Sequence, residues 1–409
     1  MTEPVVESVV ESVTDPLPDT MRHLFVTQDF SPDLGGMARR HVELVRYYPE
    51  PMSVSTVATP DAAKYGLGDD YLVERQPFNF AHAKRFANQM RWARWLVSRC
   101  RDRVQVIHCG NIRPAGYAVW WAHKRLRIPY VVYVNGGDLL RERDKAQRSA
   151  LKRRTARLIM GDAAGIVATS EWVAQLARDV MEEVGINAPP PVAALDLGTD
   201  PDQFGPDRDT GTLRQRWGIR RAPIVLTVAR LVPHKGQDTG IRALASLREE
   251  FPDLRYVLVG EGPDEARLRN LAADLDVIDR VGFAGPMRDD ELPEAYSTST
   301  IYLGASRVDR AINVEGFGIS FLEASAAQLP IVAGDSGGVR SAVRDGETGI
   351  IVDPNDVDAI ADAIRTLLLD DELRARMGAS GRAAVKTHYN WQRVADETAR
   401  FVRQCVSRG

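Results

Sequence analysis

Residues 313–330 read "NVEGFGISFLEASAAQLP", and this stretch decides how the rest of the chain is read. Two carboxylates, Glu315 and Glu323, stand eight residues apart across a Gly316-Phe317-Gly318 turn. The first falls in a loop, the second where a helix enters its core. Acidic side chains near a helix start ordinarily complement the helix dipole and do nothing more. The turn leaves the N–H groups of Gly318, Ile319 and Ser320 free at a helix N-terminus, which suits an anion. The turn from Gly316 through Phe317 and Gly318 to Ile319 is thus a candidate anion element, and the purpose of the carboxylates on either side, Glu315 and Glu323, is left open at this point.

Outward from this stretch the chain alternates β-rich runs with helix-length segments. "HLFVTQDF", "VQVIHCG", "YVVYVNG", "GIVATS" and "PVAALDLG" form a first series after Met21. "PIVLTVARL", "RYVLVGEG", "VGFAG", "STIYLGAS", "PIVAGDSGG" and "TGIIVDP" form a second series from Pro223. Strands separated by helices imply βαβ units and parallel sheets, with ligands at the carboxyl ends of the strands. The Asp-, Gly-, Pro- and Arg-rich segment Gly198–Pro223 reads as the linker. The expected architecture is α/β: two doubly wound, Rossmann-like domains facing across a cleft.

Length agrees, since 409 residues exceed one compact core. The 44% hydrophobic and 27% charged content is that of an ordinary soluble protein. No run of about 18 apolar residues spans a membrane, and no signal peptide is visible. Cys100, Cys109 and Cys405 lack metal-type spacing, which points to reduced thiols and a cytoplasmic location.

The net charge of −3 is unevenly spread. Residues 84–157 carry 19 Lys/Arg against four acids, a local +15, which leaves −18 for the remainder. Residues 1–20 hold five acids, no base and a "VVESVVES" repeat, the composition of a disordered tail.

Each domain opens with a loop suited to anions. In the first, Gly35-Gly36 follows a strand and precedes a helix, where paired glycines let backbone N–H groups approach a ligand. It is not the GxGxxG dinucleotide fingerprint. In the second, "TVARLVPHKGQD" sets Arg230 at a strand end and Lys235 before Gly236, a fork and a point charge for a diphosphate.

Together "ARLVPHKGQD", "NVEGFGISFLEA" and "GDSGGVRSAV" resemble the retaining, nucleotide-sugar-dependent glycosyltransferases of family 4, which have the GT-B fold. The motif wording is most similar to the phosphatidylinositol mannosyltransferase branch. The resemblance implies an acceptor-side domain over 21–200 and a nucleotide-sugar-binding domain over 206–387. It also implies a C-terminal helix, about 388–409, crossing back onto the first domain. Glu323 matches the glutamate on the donor ribose, and Glu315 the one beside the donor sugar. Arg230 and Lys235 match the diphosphate pair, Gly35 and Gly36 the loop approaching phosphates and sugar, and Met287 the place where the base is held. No metal is implied, because Arg, Lys and N–H groups stabilise the leaving group, and no Asp-x-Asp stands in a suitable loop.

One position departs from the family. After "YVVYV" a His-Gly is usual, and this chain has Asn135-Gly136-Gly137-Asp138. Asn donates and accepts hydrogen bonds but does not shuttle protons near neutral pH. It either keeps a positioning role with an altered sugar preference or marks a site that has drifted. His108 and His123 read as a strand-end turn and a helix surface, with a place in the cleft as the alternative.

The basic segment suggests a partner. In a helix over 84–100, Phe86, Met90, Ala93 and Val97 form an apolar stripe, and Trp92 and Trp95 fall among Lys84, Arg85, Arg91, Arg94 and Arg99. Tryptophans among arginines on an outward face suit an anionic membrane, here the inner face of the cell membrane; the alternative is a solvated helix with half-buried tryptophans. No nucleic-acid motif is present. The expected function is transfer of a hexose from a GDP- or UDP-sugar to a hydroxyl acceptor, a membrane lipid first. The alternatives are a tailoring enzyme acting on a soluble small molecule or sugar, and a nucleotide-sugar-binding relative impaired in catalysis.

Overall fold

A computed structural model describes residues 21–31, 35–58, 72–77, 85–101, 103–219, 221–310 and 312–407, with Arg85 and Phe86 described by backbone alone. The acidic tail at 1–20 and Lys84 lie outside the described residues.

The first sheet contains β1 (His23–Val26), β2 (Met52–Val57), β3 (Val73–Gln76), β4 (Val106–Cys109), β5 (Tyr130–Val134), β6 (Gly165–Ala168) and β7 (Val192–Ala194). All are paired in parallel, in the order β3-β2-β1-β4-β5-β6-β7. The second sheet contains β8 (Ile224–Val228), β9 (Arg255–Val259), β10 (Val281–Gly285), β11 (Ile301–Gly304), β12 (Ile331–Gly334) and β13 (Gly349–Val352). It is also parallel, in the order β10-β9-β8-β11-β12-β13. In each sheet the strand order reverses beside the first strand. A doubly wound sheet opens its ligand crevice at that switch point. The loops after β1 and β8, which hold Gly35-Gly36 and Arg230…Lys235, therefore lie where the topology itself makes room.

β5 shows why the sheet is two-sided. All five residues of "YVVYV" are fully buried, as expected of a parallel strand with helices on both faces. Its tyrosines satisfy their hydroxyls inside: Tyr130 donates to the Ile159 carbonyl at 2.6 Å, and Tyr133 pairs with His108 Nδ1 at 2.7 Å. His108 is thus a core residue bridging His23 and Tyr133, not a strand-end turn and not part of the cleft. His123 binds the Ile128 carbonyl at 2.9 Å, at the end of its own helix.

The helix Arg85–Cys100 corrects the expected orientation. Asn88, Trp92, Ala93, Leu96 and Cys100 are buried, while Met90 and Val97 lie at the margin. Trp92 is 0% exposed and donates from Nε1 to Ser55 Oγ at 3.0 Å. Trp95 is half-buried against the same core. The larger apolar area of the arc through Trp92 and Leu96 wins the core side over the stripe through Met90 and Val97. Arg91 and Arg94 remain exposed, and Arg99 pairs with Glu74 at 2.6 Å. Among the described residues of this helix, Trp92 is buried and Trp95 is half-buried, so neither stands fully outward among these arginines.

The chain crosses between the sheets twice, side by side. The Thr199 N–H donates to the Tyr389 carbonyl at 2.9 Å, and Arg393 Nη2 donates to the Asp196 carbonyl at 2.7 Å. The helix Trp391–Val406 then lies against the first sheet. It is capped by Asn390, whose side chain accepts from the Arg393 N–H at 2.9 Å. Its Ala395, Ala399 and Val402 join Phe25, Val131, Tyr133 and Val167 in one core, while Trp391 and Val394 belong to the core of the second domain. Arg403 fixes the far end through Glu50 at 2.9 Å.

Removing residues from Asn390 onward should therefore expose apolar surface on β1, β5 and β6. Hydrogen exchange is expected to accelerate in those three strands as well as in the second domain. Unchanged protection across 21–195 in the truncated chain would show that the helix contributes nothing there.

Candidate active site

Glu323 is the fifth residue of the helix Ile319–Ala326 and faces the seam between the domains. It is 5% exposed. Its Oε2 accepts from the Tyr296 hydroxyl at 2.6 Å, and its Oε1 lies 3.3 Å from Arg39 Nη1 of the opposite domain. Burial alone would lower the Arg39 guanidinium, but the Glu323 carboxylate and Asp289 hold it above its ordinary value. A charge this deep requires such a partner.

Glu315 sits in the loop before that helix, and its Oε2 accepts from Lys235 Nζ at 2.5 Å. Burial pushes its carboxyl up. The Lys235 ammonium and the Phe317 N–H more than reverse this, so Glu315 lies below its ordinary range and stays ionised. The sequence gives these two residues separate duties; the structure brings them together as one pair. Arg230, after β8, keeps an exposed guanidinium, while its carbonyl accepts from Gln237 Nε2 at 3.0 Å. His234, between these cations, is pushed down to about 4 by burial and by Lys235, and is neutral at physiological pH.

The turn before the helix is held from several sides. Gly318 adopts φ 94°, a conformation that a side chain would strain, and a Cβ there would meet the Phe321 ring at 2.5 Å. The Gly316 carbonyl accepts from Ser170 Oγ at 2.9 Å, across the seam. The Gly338 N–H donates to the Glu315 carbonyl at 2.9 Å, and a Cβ on Gly338 would lie 1.9 Å from the Gly316 oxygen. Phe317 is buried in the second core, so the side chain between the two glycines anchors the turn. A Cβ on Gly36 would lie 3.8 Å from Ile319 Cδ1, which puts the first domain's glycine loop opposite the helix start. Gly35 precedes it with φ 134°. Met287, in the loop after β10, is half-buried against the second core.

Asn135 ends β5 and caps the helix Gly136–Arg148. Its Oδ1 accepts from Arg40 Nη1 at 3.2 Å, and its Nδ2 is buried without a partner. Its N–H donates to Asp138 Oδ1 at 2.7 Å. Gly136 packs against Gly316 and Val314. Glu323, the turn before Ile319, Gly36 after β1 and Gly136 next to Asn135 thus meet at one seam, with the Lys235–Glu315 pair beside the turn. Arg230 and Met287 lie in the loops after β8 and β10.

Arg39, Arg40, Tyr296 and Ser170 were not read from the sequence. A consecutive Arg pair on an amphipathic helix looks like a solvated face, and a lone Tyr or Ser carries no signal. Among the described residues no three His, Cys, Asp or Glu side chains converge as a metal site would.

Two family descriptions match this chain: "Glycosyltransferase Family 4" over residues 34–184 and "Glycosyl transferases group 1" over 209–384. The chain belongs to the family-4 glycosyltransferases. A GDP-mannose-dependent alpha-(1-6)-phosphatidylinositol monomannoside mannosyltransferase of Mycobacterium tuberculosis is 41% identical over 218 residues, covering 52% of this chain and 57% of the relative. Its counterpart in Mycolicibacterium smegmatis is 42% identical over 207 residues, covering 49% of this chain and 54% of the relative. The chain thus spans little more than half the length of these relatives. An alpha-D-kanosaminyltransferase of Streptomyces kanamyceticus is 29% identical over 314 residues, covering 73% of this chain and 76% of the relative.

The fold is GT-B. The Anabaena protein HepE, solved with UDP and glucose, superposes with a TM-score of 0.76 at 22% identity, covering 94% of this chain and 99% of that one. Sucrose-phosphate synthase of Thermosynechococcus elongatus gives 0.77 at 21%, covering 95% and 100%.

Within this family-4 chain, Asp138 makes a pH test. Burial pushes its carboxyl up to about 6, against the pull of the Asn135 N–H and the Arg141 charge. The unfolded value is about 3.9. The folded state therefore holds the proton more tightly, and stability falls as pH rises from about 4 through 6, by up to about 3 kcal/mol. Asp138→Asn keeps the Oδ1 acceptor without that charge. Its melting temperature relative to wild type should climb between pH 4.5 and 8, and a pH-independent difference would refute the shift.

Proposed function

We propose that this chain transfers a hexose from a nucleoside diphosphate sugar to a hydroxyl acceptor, with retention at the anomeric carbon and without a metal ion. The observation that carries the reading is the ionised Lys235–Glu315 pair beside the Ile319 helix start, facing Gly36 across the seam. Departure of the diphosphate breaks the bond between the anomeric carbon and the phosphate oxygen, and the electron pair leaves with the oxygen. Lys235, exposed Arg230 and the N–H groups at Gly318–Ser320 stabilise that charge. Glu315 orients the sugar hydroxyls and faces the positive charge on the ring. The acceptor oxygen bonds the same face, and its proton passes to the departing phosphate oxygen. No side-chain nucleophile is required. Glu323 takes the ribose hydroxyls, and the loop at Met287 takes the base.

The mannosyltransferase relatives make GDP-mannose the first donor to test and a lipid-borne hydroxyl the first acceptor. That acceptor puts the enzyme at the cytoplasmic face of a membrane, with Arg91 and Arg94 toward anionic headgroups. Among the described residues no helix is long and apolar enough to cross one. The buried Trp92 favours a second reading, a soluble acceptor, because this tryptophan is spent on the core and is not available as a membrane anchor.

A thermal-shift screen of GDP-, UDP- and ADP-sugars should show one base raising the melting temperature, by mass action on the folded state. With that donor, Lys235→Ala should lower kcat by roughly 100-fold or more, and EDTA should leave activity unchanged. Wild-type kinetics in Lys235→Ala would overturn the assignment; loss with EDTA and rescue by manganese would overturn the metal-free mechanism.

The acceptor class has its own test. Vesicles with anionic lipid should retain the protein at low salt and release it at high salt, and Arg91→Glu with Arg94→Glu should abolish retention. A wild-type protein that ignores such vesicles is the outcome that selects the soluble acceptor.

A further inference from the structure

Arg39 and Arg40 are neighbours on the helix Gly36–Tyr47, yet they serve different domains. The turn of about 100° per residue sends Arg40 into its own core. Arg39 reaches outward, and besides the charge of Glu43 on its own helix, its side-chain hydrogen bond, ion pair and ring contact lie beyond its own sheet. Nη1 meets Glu323 Oε1 at 3.3 Å, Nη2 donates to Gln203 Oε1 at 3.1 Å, and the guanidinium lies 5.2 Å from the centroid of the Phe204 ring. Gln203 Nε2 in turn reaches the Asp289 carbonyl at 3.5 Å, two residues beyond Met287. One side chain therefore touches the linker and the helix carrying Glu323, and through Gln203 the loop assigned to the base.

Both oxygens of Glu323 are engaged, one by Tyr296 and one by Arg39. The Glu323 side chain is 6% exposed, and the Arg39 side chain covering it is 20% exposed. A pair of vicinal hydroxyls approaching this carboxylate meets the guanidinium first. Arginine suits such a post: its planar fork serves the carboxylate and the Gln203 amide at once while its face lies over Phe204.

We propose that Arg39 competes with the donor for Glu323, occupying the carboxylate across the seam in the nucleotide-free protein and giving up Oε1 to the ribose hydroxyls of an entering nucleotide. The inference rests on the reading of Glu323 given above. It has two consequences. Nucleotide affinity is reduced by the fraction of molecules in which Arg39 occupies Glu323. Closure of the seam, which sets Gly36 against Ile319, draws stability from the same ion pair.

Arg39→Gln removes the charge from a side chain at the helix surface, and circular dichroism confirms its folding. Calorimetric titration with GDP and with UDP should show the preferred nucleotide bound about fivefold more tightly, the scale of a partly exposed ion pair. In turnover, KM for the donor and kcat should fall together. Arg39→Lys, which keeps the charge, should return affinity to near the wild-type value. Unchanged or weaker binding in Arg39→Gln overturns the proposal. Glu323→Gln and Lys235→Gln separate this failure from that of the site itself. If both weaken nucleotide binding while Arg39→Gln does not strengthen it, the role of Arg39 alone falls. If both bind as wild type does, the donor site is wrongly placed and the role of Arg39 falls with it.

Discussion

The peptide at Gly316 is the point on which the cleft is built. Its carbonyl accepts from Ser170 of one domain, and Gly338 of the other lies so close that a side chain there would occupy the same space. Gly136 approaches from β5, and the buried Phe317 fixes the next residue. Held this way, the turn at Gly318 can start a helix with its N–H groups directed at the seam rather than into a neighbouring carbonyl. Every other feature of the site is a question of what that helix start can face.

What it faces is a set of charges that are largely neutralised in pairs. Lys235 answers Glu315, and Arg39 answers Glu323. A buried carboxylate without a partner would either cost several kcal/mol or take up a proton. Lys235 holds Glu315 below its ordinary range, so that carboxyl stays ionised, and Arg39 gives Glu323 a cation to face. Arg230 is the exception: it is exposed, and among the described residues it has no ion-pair partner. On the proposed reading, a dianionic diphosphate entering the seam finds one guanidinium free and one ammonium already set by Glu315. The ammonium need not be desolvated anew, which is how a preorganised site gains over water.

Much of this was legible in the sequence, and the limits have physical causes. Eleven of the thirteen strands lie within the quoted runs, because parallel strands covered on both faces are continuous apolar runs. The two that were missed are β2, where serines alternate with apolar residues, and β3, "VERQ", an edge strand in which three of the four residues are polar. Glu315 and Glu323 were found because their spacing across a glycine turn, in register with Arg230 and Lys235, resembles the family motif. Arg39 and Tyr296 escaped because their meaning arises from a partner more than a hundred places away or on another helix. Helical periodicity in 84–100 identified a helix but chose the wrong face. An arc carrying Trp92 and Leu96 buries more apolar area than one carrying Met90 and Val97, and a tryptophan whose Nε1 finds Ser55 loses nothing by going inside.

The asparagine in place of a histidine follows from its neighbour. Arg40 is fully buried, and burial pushes its guanidinium down to about 10. It is satisfied by the carbonyls of Val134 and Val167, by Asn135 Oδ1, and by the face of Tyr133 at 5.1 Å. An imidazole at position 135 would have to present an acceptor to that guanidinium, and a protonated one would set two cations together in a dry pocket. An amide offers a neutral acceptor at every pH and turns its Nδ2 donor the other way. The charge of Arg40 thus selects a residue that positions but does not titrate. Under the mechanism proposed above, proton movement then runs between acceptor and phosphate, with Glu315 and Lys235 as the charges that shape it.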